Sequence, residues 1–110
     1  TLDMAWVIER REKLARQYEN LLADMGHLQQ RKGHHDAALG FFMRTLREAP
    51  QREDIYRDIM TTYATLGRKS DALRQFDILV KYLDDSIGLP PSRKSRDLYE
   101  QIKHQPEDGA

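Results

Sequence analysis

The chain of 110 residues contains no cysteine. A disulfide framework and a zinc site built on cysteine ligands are therefore excluded. The chain also lacks an excess of charge of either sign, because 18 lysine and arginine residues balance 18 aspartate and glutamate residues. Domains that bind nucleic acid on their own usually carry a basic excess, so this composition argues against direct nucleic-acid binding by the chain.

Long apolar runs and secretory signal patterns are also missing. No stretch approaches the roughly 18 consecutive apolar residues of a membrane-spanning helix, so we expect no membrane association. Hydrophobic residues make up 39% of the chain and charged residues 33%, which is typical of a soluble, mostly helical domain. Because the chain begins at Thr1 without an initiator methionine, we expect a fragment of a longer protein.

Two segments of the chain carry the same residue types at a constant spacing, which indicates an internal repeat. The corresponding residues, each 34 positions apart, are Gly33 and Gly67, Ala38 and Ala72, Leu39 and Leu73, and Phe42 and Phe76. This is the period of the tetratricopeptide repeat, a helix–turn–helix unit. We expect the alanines to let two helices approach closely, the phenylalanines to fill the space beside them, and the glycines to adopt positive φ between the helices.

Apolar residues at steps of three and four predict five helices. The predicted helices start near Met4, Asp36, Arg52, Ser70 and Ser92, with Ser70 as an expected N-cap. We therefore predict an all-α, tetratricopeptide-like, right-handed stack of antiparallel helix pairs over residues 1–104, with a long first helix and a C-terminal capping helix. Residues 105–110 are expected to form a disordered tail.

The first half of the long helix carries an apolar stripe that no repeat unit covers. Its members are Met4, Trp6, Val7, Ile8 and Leu14. An apolar face gains stability only when it is buried, which leaves two alternatives. The stripe packs on the C-terminal helix of the same chain, or it is a docking or dimer surface for another part of the protein or a second copy.

The first helices of stacked pairs usually line a concave groove. The repeat register places eight polar residues there, namely Asn20, Asp24, His27, Arg31, Asp54, Arg57, Asp58 and Thr61. Their mixed charges suit an extended polar peptide, but they suit a solvated surface equally well. No clamp of lysines, arginines and asparagines that would capture a C-terminal carboxylate is visible.

The sequence carries no recognisable catalytic or metal-binding pattern. His27, His34 and His35 form no i, i+4 pair on one helix and match no known ligand spacing. The serines lie near turns or caps, and no glycine-rich phosphate loop is present. Basic residues interleave with acidic ones, as on a solvated helix face. We therefore predict a non-enzymatic domain without a metal or a cofactor.

The C-terminal half carries a more specific resemblance. The segments 52–60, 64–68, 71–76 and 83–92, closed by Leu98-Tyr99-Glu100-Gln101-Ile102, resemble the bacterial transcriptional activator domain. The opening Trp6-Val7 followed by the segment 10–14 is similar to the first helix of that family. The chain departs from the family pattern at Pro90-Pro91, where an acidic residue usually precedes the proline, and at the His34-His35 turn.

The resemblance implies a regulatory protein–protein interaction module of SARP-type transcriptional activators, located in the bacterial cytoplasm. In these regulators a winged-helix DNA-binding domain precedes this domain, which serves activation, contact with other domains and often dimerisation. The partners it implies are the protein's own DNA-binding domain, the transcription machinery or a second protomer. The alternative is a tetratricopeptide scaffold that binds a peptide or partner protein in its concave groove.

Overall fold

A computed structural model of the chain describes residues 2–106, with side chains from Asp3 onward, and contains five helices. They are α1 (Leu2–Arg31), α2 (His35–Glu48), α3 (Glu53–Thr65), α4 (Lys69–Ile87) and α5 (Arg93–Lys103). Within the described range there is no β-strand. The prediction of an all-α, tetratricopeptide-like stack with a long first helix and a short closing helix is confirmed. Most of the predicted tail, residues 107–110, lies outside the described residues.

The two helix–turn–helix units use the same turn. Gly33 has φ +79° and Gly67 has φ +74°, the left-handed conformation that glycine adopts without a steric penalty. In the first turn the backbone N–H of His34 donates to the carbonyl of Gln29 at 2.9 Å, and in the second that of Arg68 donates to Tyr63 at 2.8 Å. These bonds satisfy carbonyls at the helix ends, so the repeat seen in the sequence extends to the backbone hydrogen bonds.

The starts of the last two helices differ in how they are capped. Helix α4 begins at Lys69 with Arg68 as its N-cap, and no side chain caps it. The prediction that Ser70 is the N-cap is therefore wrong, because the glycine turn returns the chain to helical geometry before Ser70 is reached. Ser92 is the N-cap of α5, and its side chain accepts a hydrogen bond from the backbone N–H of Ser95.

The core is built from the repeat positions. Ala38 and Ala72 are both fully buried, as predicted from their spacing. Ala38 lies in a cluster with Phe42 and with residues of α1 and α3. Ala72 lies in a second cluster that contains Phe76 and reaches Ile102 of α5. The closing helix therefore covers the end of the stack by packing on α4 and α3.

Phe42 makes its closest approach to α1 at Gly26. A Cβ atom added at Gly26 would lie 2.5 Å from Cε1 of the Phe42 ring, and that ring is fully buried. Gly26→Ala should therefore lower the free energy of unfolding by about 1–2 kcal/mol, since the cost of overpacking exceeds the gain in helix propensity. Urea denaturation followed by circular dichroism measures the change.

Gly40 provides the matched control for this substitution. It lies in α2, is exposed, and has no atom within 4 Å of an added Cβ. Gly40→Ala should therefore raise the free energy of unfolding by about 0.5–1 kcal/mol. Equal shifts of the same sign in the two variants would contradict the close approach of Phe42 to α1.

The first half of α1 projects from the body of the protein. Helix α1 has 30 residues and its partner α2 has 14, so α2 covers only the second half of α1. Every side chain from Asp3 to Tyr18 is exposed. Helix α5 packs on α4 and α3. The alternative in which the apolar stripe packs on the C-terminal helix is therefore wrong. The predicted stripe lies on this projecting half.

Candidate functional site

The predicted stripe on α1 divides into two parts. Met4, Val7 and Leu14 lie along one side of the helix and Ile8 lies beside them, with exposed fractions between 37% for Val7 and 61% for Met4. Trp6 points away from this line, and the guanidinium of Arg10 lies over its ring at 5.4 Å from the centroid. The members of the stripe are thus all accessible, but they do not form a single row.

The same row of apolar residues continues into the second half of α1. We call the exposed row the α1 seam, and its apolar members are Met4, Val7, Leu14, Tyr18, Leu21, Met25 and Leu28. The face of α1 that packs on α2 carries Leu22, Ala23 and Gly26 instead, and these are buried. The spacing of the last four members is visible in the sequence, but it does not predict a partner surface, because core residues have the same spacing.

Polar side chains of α1 bond to α3 and to its N-cap residue, and one of these contacts joins two predicted groove residues. Nε2 of His27 lies 2.8 Å from Oδ2 of Asp58, and the amide of Gln30 donates to the hydroxyl of Thr62 at 3.1 Å. The guanidinium of Arg52 donates to Asn20 at 3.1 Å. These contacts tie the first repeat to the second and occupy several of the polar groups that a peptide would otherwise contact.

The remaining opening on this side lies between α3 and α5. This α3–α5 cleft has a volume of about 460 Å³. Its lining residues are Asp54, Arg57, Asp58, Thr61, Lys94, Asp97, Leu98 and Gln101. Four of them are predicted groove residues from α3. The α5 members could not be placed by the repeat register, because α5 lies after the second unit. Asp24 and Arg31 are exposed on α1, away from this cleft.

A polar cluster joins the start of α3 to the start of α5. The carboxylate of Glu53 accepts hydrogen bonds from the Ser92 hydroxyl at 2.8 Å and the Ser95 hydroxyl at 2.6 Å, and its two oxygens lie 3.2 Å from the Ser92 backbone N–H. The guanidinium of Arg57 donates to the Ser95 hydroxyl at 2.9 Å. We call Glu53, Arg57, Ser92 and Ser95 the α3–α5 clasp.

The clasp shifts the titration of its carboxylate. Burial alone would raise the pKa of Glu53, but the hydrogen bonds from Ser95 and Ser92 and the charge of Arg57 outweigh it, so the pKa lies below the usual 4.5. For the neighbouring Asp54, burial likewise acts to raise the pKa, and the hydrogen bond from Arg52 brings it below its usual value. Both carboxylates are therefore held in their charged form.

Residues 2–106 contain neither a candidate metal site nor a candidate membrane-spanning helix. In the part of the chain that the structure describes, no three histidine, aspartate or glutamate side chains come close enough together to hold a metal ion. None of the helices between residues 2 and 106 combines the length and the apolar character needed to cross a bilayer.

The fold defines a tetratricopeptide-like helical-repeat domain. The family model described as "Bacterial transcriptional activator domain" matches residues 2–103, which is nearly the whole chain. The chain therefore belongs to the bacterial transcriptional activator domain family, a family of regulatory domains in transcriptional activators. No curated protein and no solved structure gives a significant match.

Proposed function

We propose that this domain is a protein–protein interaction module of a SARP-type transcriptional activator in the bacterial cytoplasm. It acts beside a winged-helix DNA-binding domain that is not contained in this chain. The observation that carries the proposal is the α1 seam, whose apolar side chains are exposed along the whole helix. A contiguous exposed apolar surface marks an interaction site, and membership of the family supports a role in transcription.

The charge distribution supports a partner other than DNA for this domain. Its formal net charge is zero, so it offers little of the electrostatic attraction that dominates nonspecific DNA affinity. In gel-shift assays the isolated domain should show no specific DNA binding at physiological salt. Tight and specific binding would contradict this part of the proposal.

A second candidate function is peptide binding in the α3–α5 cleft, as in a tetratricopeptide scaffold. The cleft favours it because charged groups of both signs, among them Asp97 and Lys94, line an open depression. The upstream gene sequence separates the two candidates. A winged helix directly before the domain supports the activator module, and further helical repeats support the scaffold.

A reporter assay in bacteria, with the full activator, tests the seam as the functional surface. Val7→Asp together with Leu14→Asp should reduce activation roughly tenfold or more, because buried apolar anchors dominate interface energies. Both side chains are exposed in the domain, so the fold should survive, and circular dichroism checks this.

The matched control for this experiment is Ile78→Asp together with Val80→Asp. These two side chains are also exposed and apolar, but they lie on α4. The control should leave activation close to the wild-type level. If the seam variant activates normally while Asp97→Lys in the cleft abolishes activation, the second candidate replaces the first.

A further inference from the structure

The exposed residues of α1 follow a seven-residue repeat. First positions (a) fall on Met4, Arg11, Tyr18 and Met25, and fourth positions (d) fall on Val7, Leu14, Leu21 and Leu28. All of these side chains are exposed. An a/d pattern sustained over this length is typical of two helices that supercoil around each other. The chemistry of the seam therefore fits another helix with the same repeat.

We propose that the α1 seam binds the α1 seam of a second copy of this chain in an antiparallel two-stranded coiled coil. This deepens the proposed function, on which it rests, by naming the partner of the seam. With the twofold axis near Arg16, Met4 faces the partner's Leu28 and Val7 faces the partner's Met25. The overlap of residues 4–28 spans about 36 Å.

The charges beside the seam select this antiparallel register. The residues that precede each a position (g positions) are Asp3, Arg10, Gln17, Asp24 and Arg31, and all are exposed. An antiparallel pair brings g positions opposite each other. Asp3 then meets the partner's Arg31, Arg10 meets the partner's Asp24, and Gln17 meets its own counterpart. Every charged g residue thus faces a residue of opposite sign.

A parallel arrangement loses this complementarity. It would place Arg11 against the partner's Arg11 inside the seam, where two like charges repel each other. It would also bring the g positions opposite e positions, which are Ile8, Ala15, Leu22 and Gln29 and carry no charge. In the antiparallel register Arg11 faces the partner's Leu21, and its long side chain can extend its charged end to the edge of the seam.

The shape of the protein leaves room for this pairing. No side chain from Asp3 to Tyr18 is buried, so the projecting half of α1 is open to a partner helix. The residues that hold α1 on α2 (Leu22, Ala23 and Gly26) lie on a different face of the helix. Each copy therefore keeps its own core while its seam becomes covered.

Disulfide crosslinking tests both the pairing and its direction. Because the chain has no native cysteine, only the introduced cysteines can form a disulfide. An equimolar mixture of Met4→Cys and Leu28→Cys chains should form a disulfide-linked dimer under mild oxidation. Each variant alone should not, because its cysteine lies far from its own counterpart. A dimer from Met4→Cys alone would overturn the antiparallel register, and no dimer in any of these samples would overturn the pairing.

Light scattering gives the independent measurement of mass. In size-exclusion chromatography with light scattering, the wild-type protein should have the molar mass of a dimer of 12.9 kDa chains. The double variant Leu14→Asp with Leu21→Asp should have the molar mass of a monomer. Arg10→Glu should weaken self-association roughly tenfold, since two symmetry-related ion pairs become repulsive. Adding Asp24→Arg to the same chain should restore it. No restoration would contradict the register.

The outcomes separate this inference from the proposed function. A wild-type chain that stays monomeric at high concentration overturns the second copy as partner. If the seam variants nevertheless lose reporter activation, the seam binds a different protein and the proposed function stands. If activation is indifferent to the seam, the proposed function fails as well.

Discussion

Phe76→Ala should lower the free energy of unfolding by about 3–5 kcal/mol, the range for removing a buried aromatic side chain. Phe76 is 9% exposed and lies in one cluster with Met60 of α3 and Ile102 of α5. Its ring stacks on that of Tyr99, with the centroids 4.3 Å apart. One ring thus joins three helices, and its loss leaves a cavity beneath the closing helix. A loss of this size is a large share of the total stability of a small domain, about 5–15 kcal/mol.

Urea denaturation of purified domain measures this change, and two further variants make the result specific. Ile78→Ala, two residues along the same helix and 49% exposed, should cost no more than about 0.5 kcal/mol. Phe76→Leu keeps most of the volume but loses the ring stacking, so it should cost about 1–2 kcal/mol. If Phe76→Ala unfolds at the same urea concentration as Ile78→Ala, the repeat register that places Phe76 in the core is wrong.

The turns and the contacts within each helix pair could be predicted from the sequence. Glycine at 33 and 67 determines the turns, and the alanine and phenylalanine that follow each glycine determine how each helix pair closes. These features depend on residues close together in the chain, and the 34-residue spacing shows that both units use them. Gly33 and Gly67 accordingly share the same backbone conformation and hydrogen bonds.

Features that depend on distant parts of the chain could not be predicted in the same way. The clasp joins Glu53 to Ser92, 39 positions away, and no periodicity encodes which carboxylate a serine in a later segment will contact. The seam shows a different limit. The spacing of Leu21 and Met25 is equally suited to a core and to an exposed surface. Only the packing of α2 on a different face of α1 decides between them.

Glu53→Ala should lower the free energy of unfolding by about 2–3 kcal/mol, because hydrogen bonds to a charged group contribute more than neutral ones. The substitution removes the acceptor shared by the hydroxyls of Ser92 and Ser95, and Ser95 is fully buried. It also removes the acceptor of the backbone N–H of Ser92, the N-cap of α5. The loss should therefore act first on the attachment of α5 to α3.

Asp54→Ala is the matched control, since Asp54 is the next residue in the same first turn of α3. Its carboxylate is about half exposed and pairs with Arg52, so the expected cost is below about 1 kcal/mol. Both substitutions remove one negative charge near the start of α3, and the difference between them reports the clasp. Equal costs for the two variants would mean that the hydrogen bonds from α5 contribute nothing measurable.

The pH dependence of stability provides a second measurement of the same contact. The pKa of Glu53 is lowered in the folded domain from the usual 4.5, so the unfolded chain binds its proton at higher pH than the folded chain does. The stabilisation is therefore fully present above the usual pKa and is lost as the pH falls through the folded-state value. Glu53→Gln removes this titration, and its stability should fall less steeply with acid than that of the wild type. Other carboxylates titrate in both proteins, so only the difference between their two curves of stability against pH is informative. Parallel curves would show that Glu53 does not titrate with a lowered pKa.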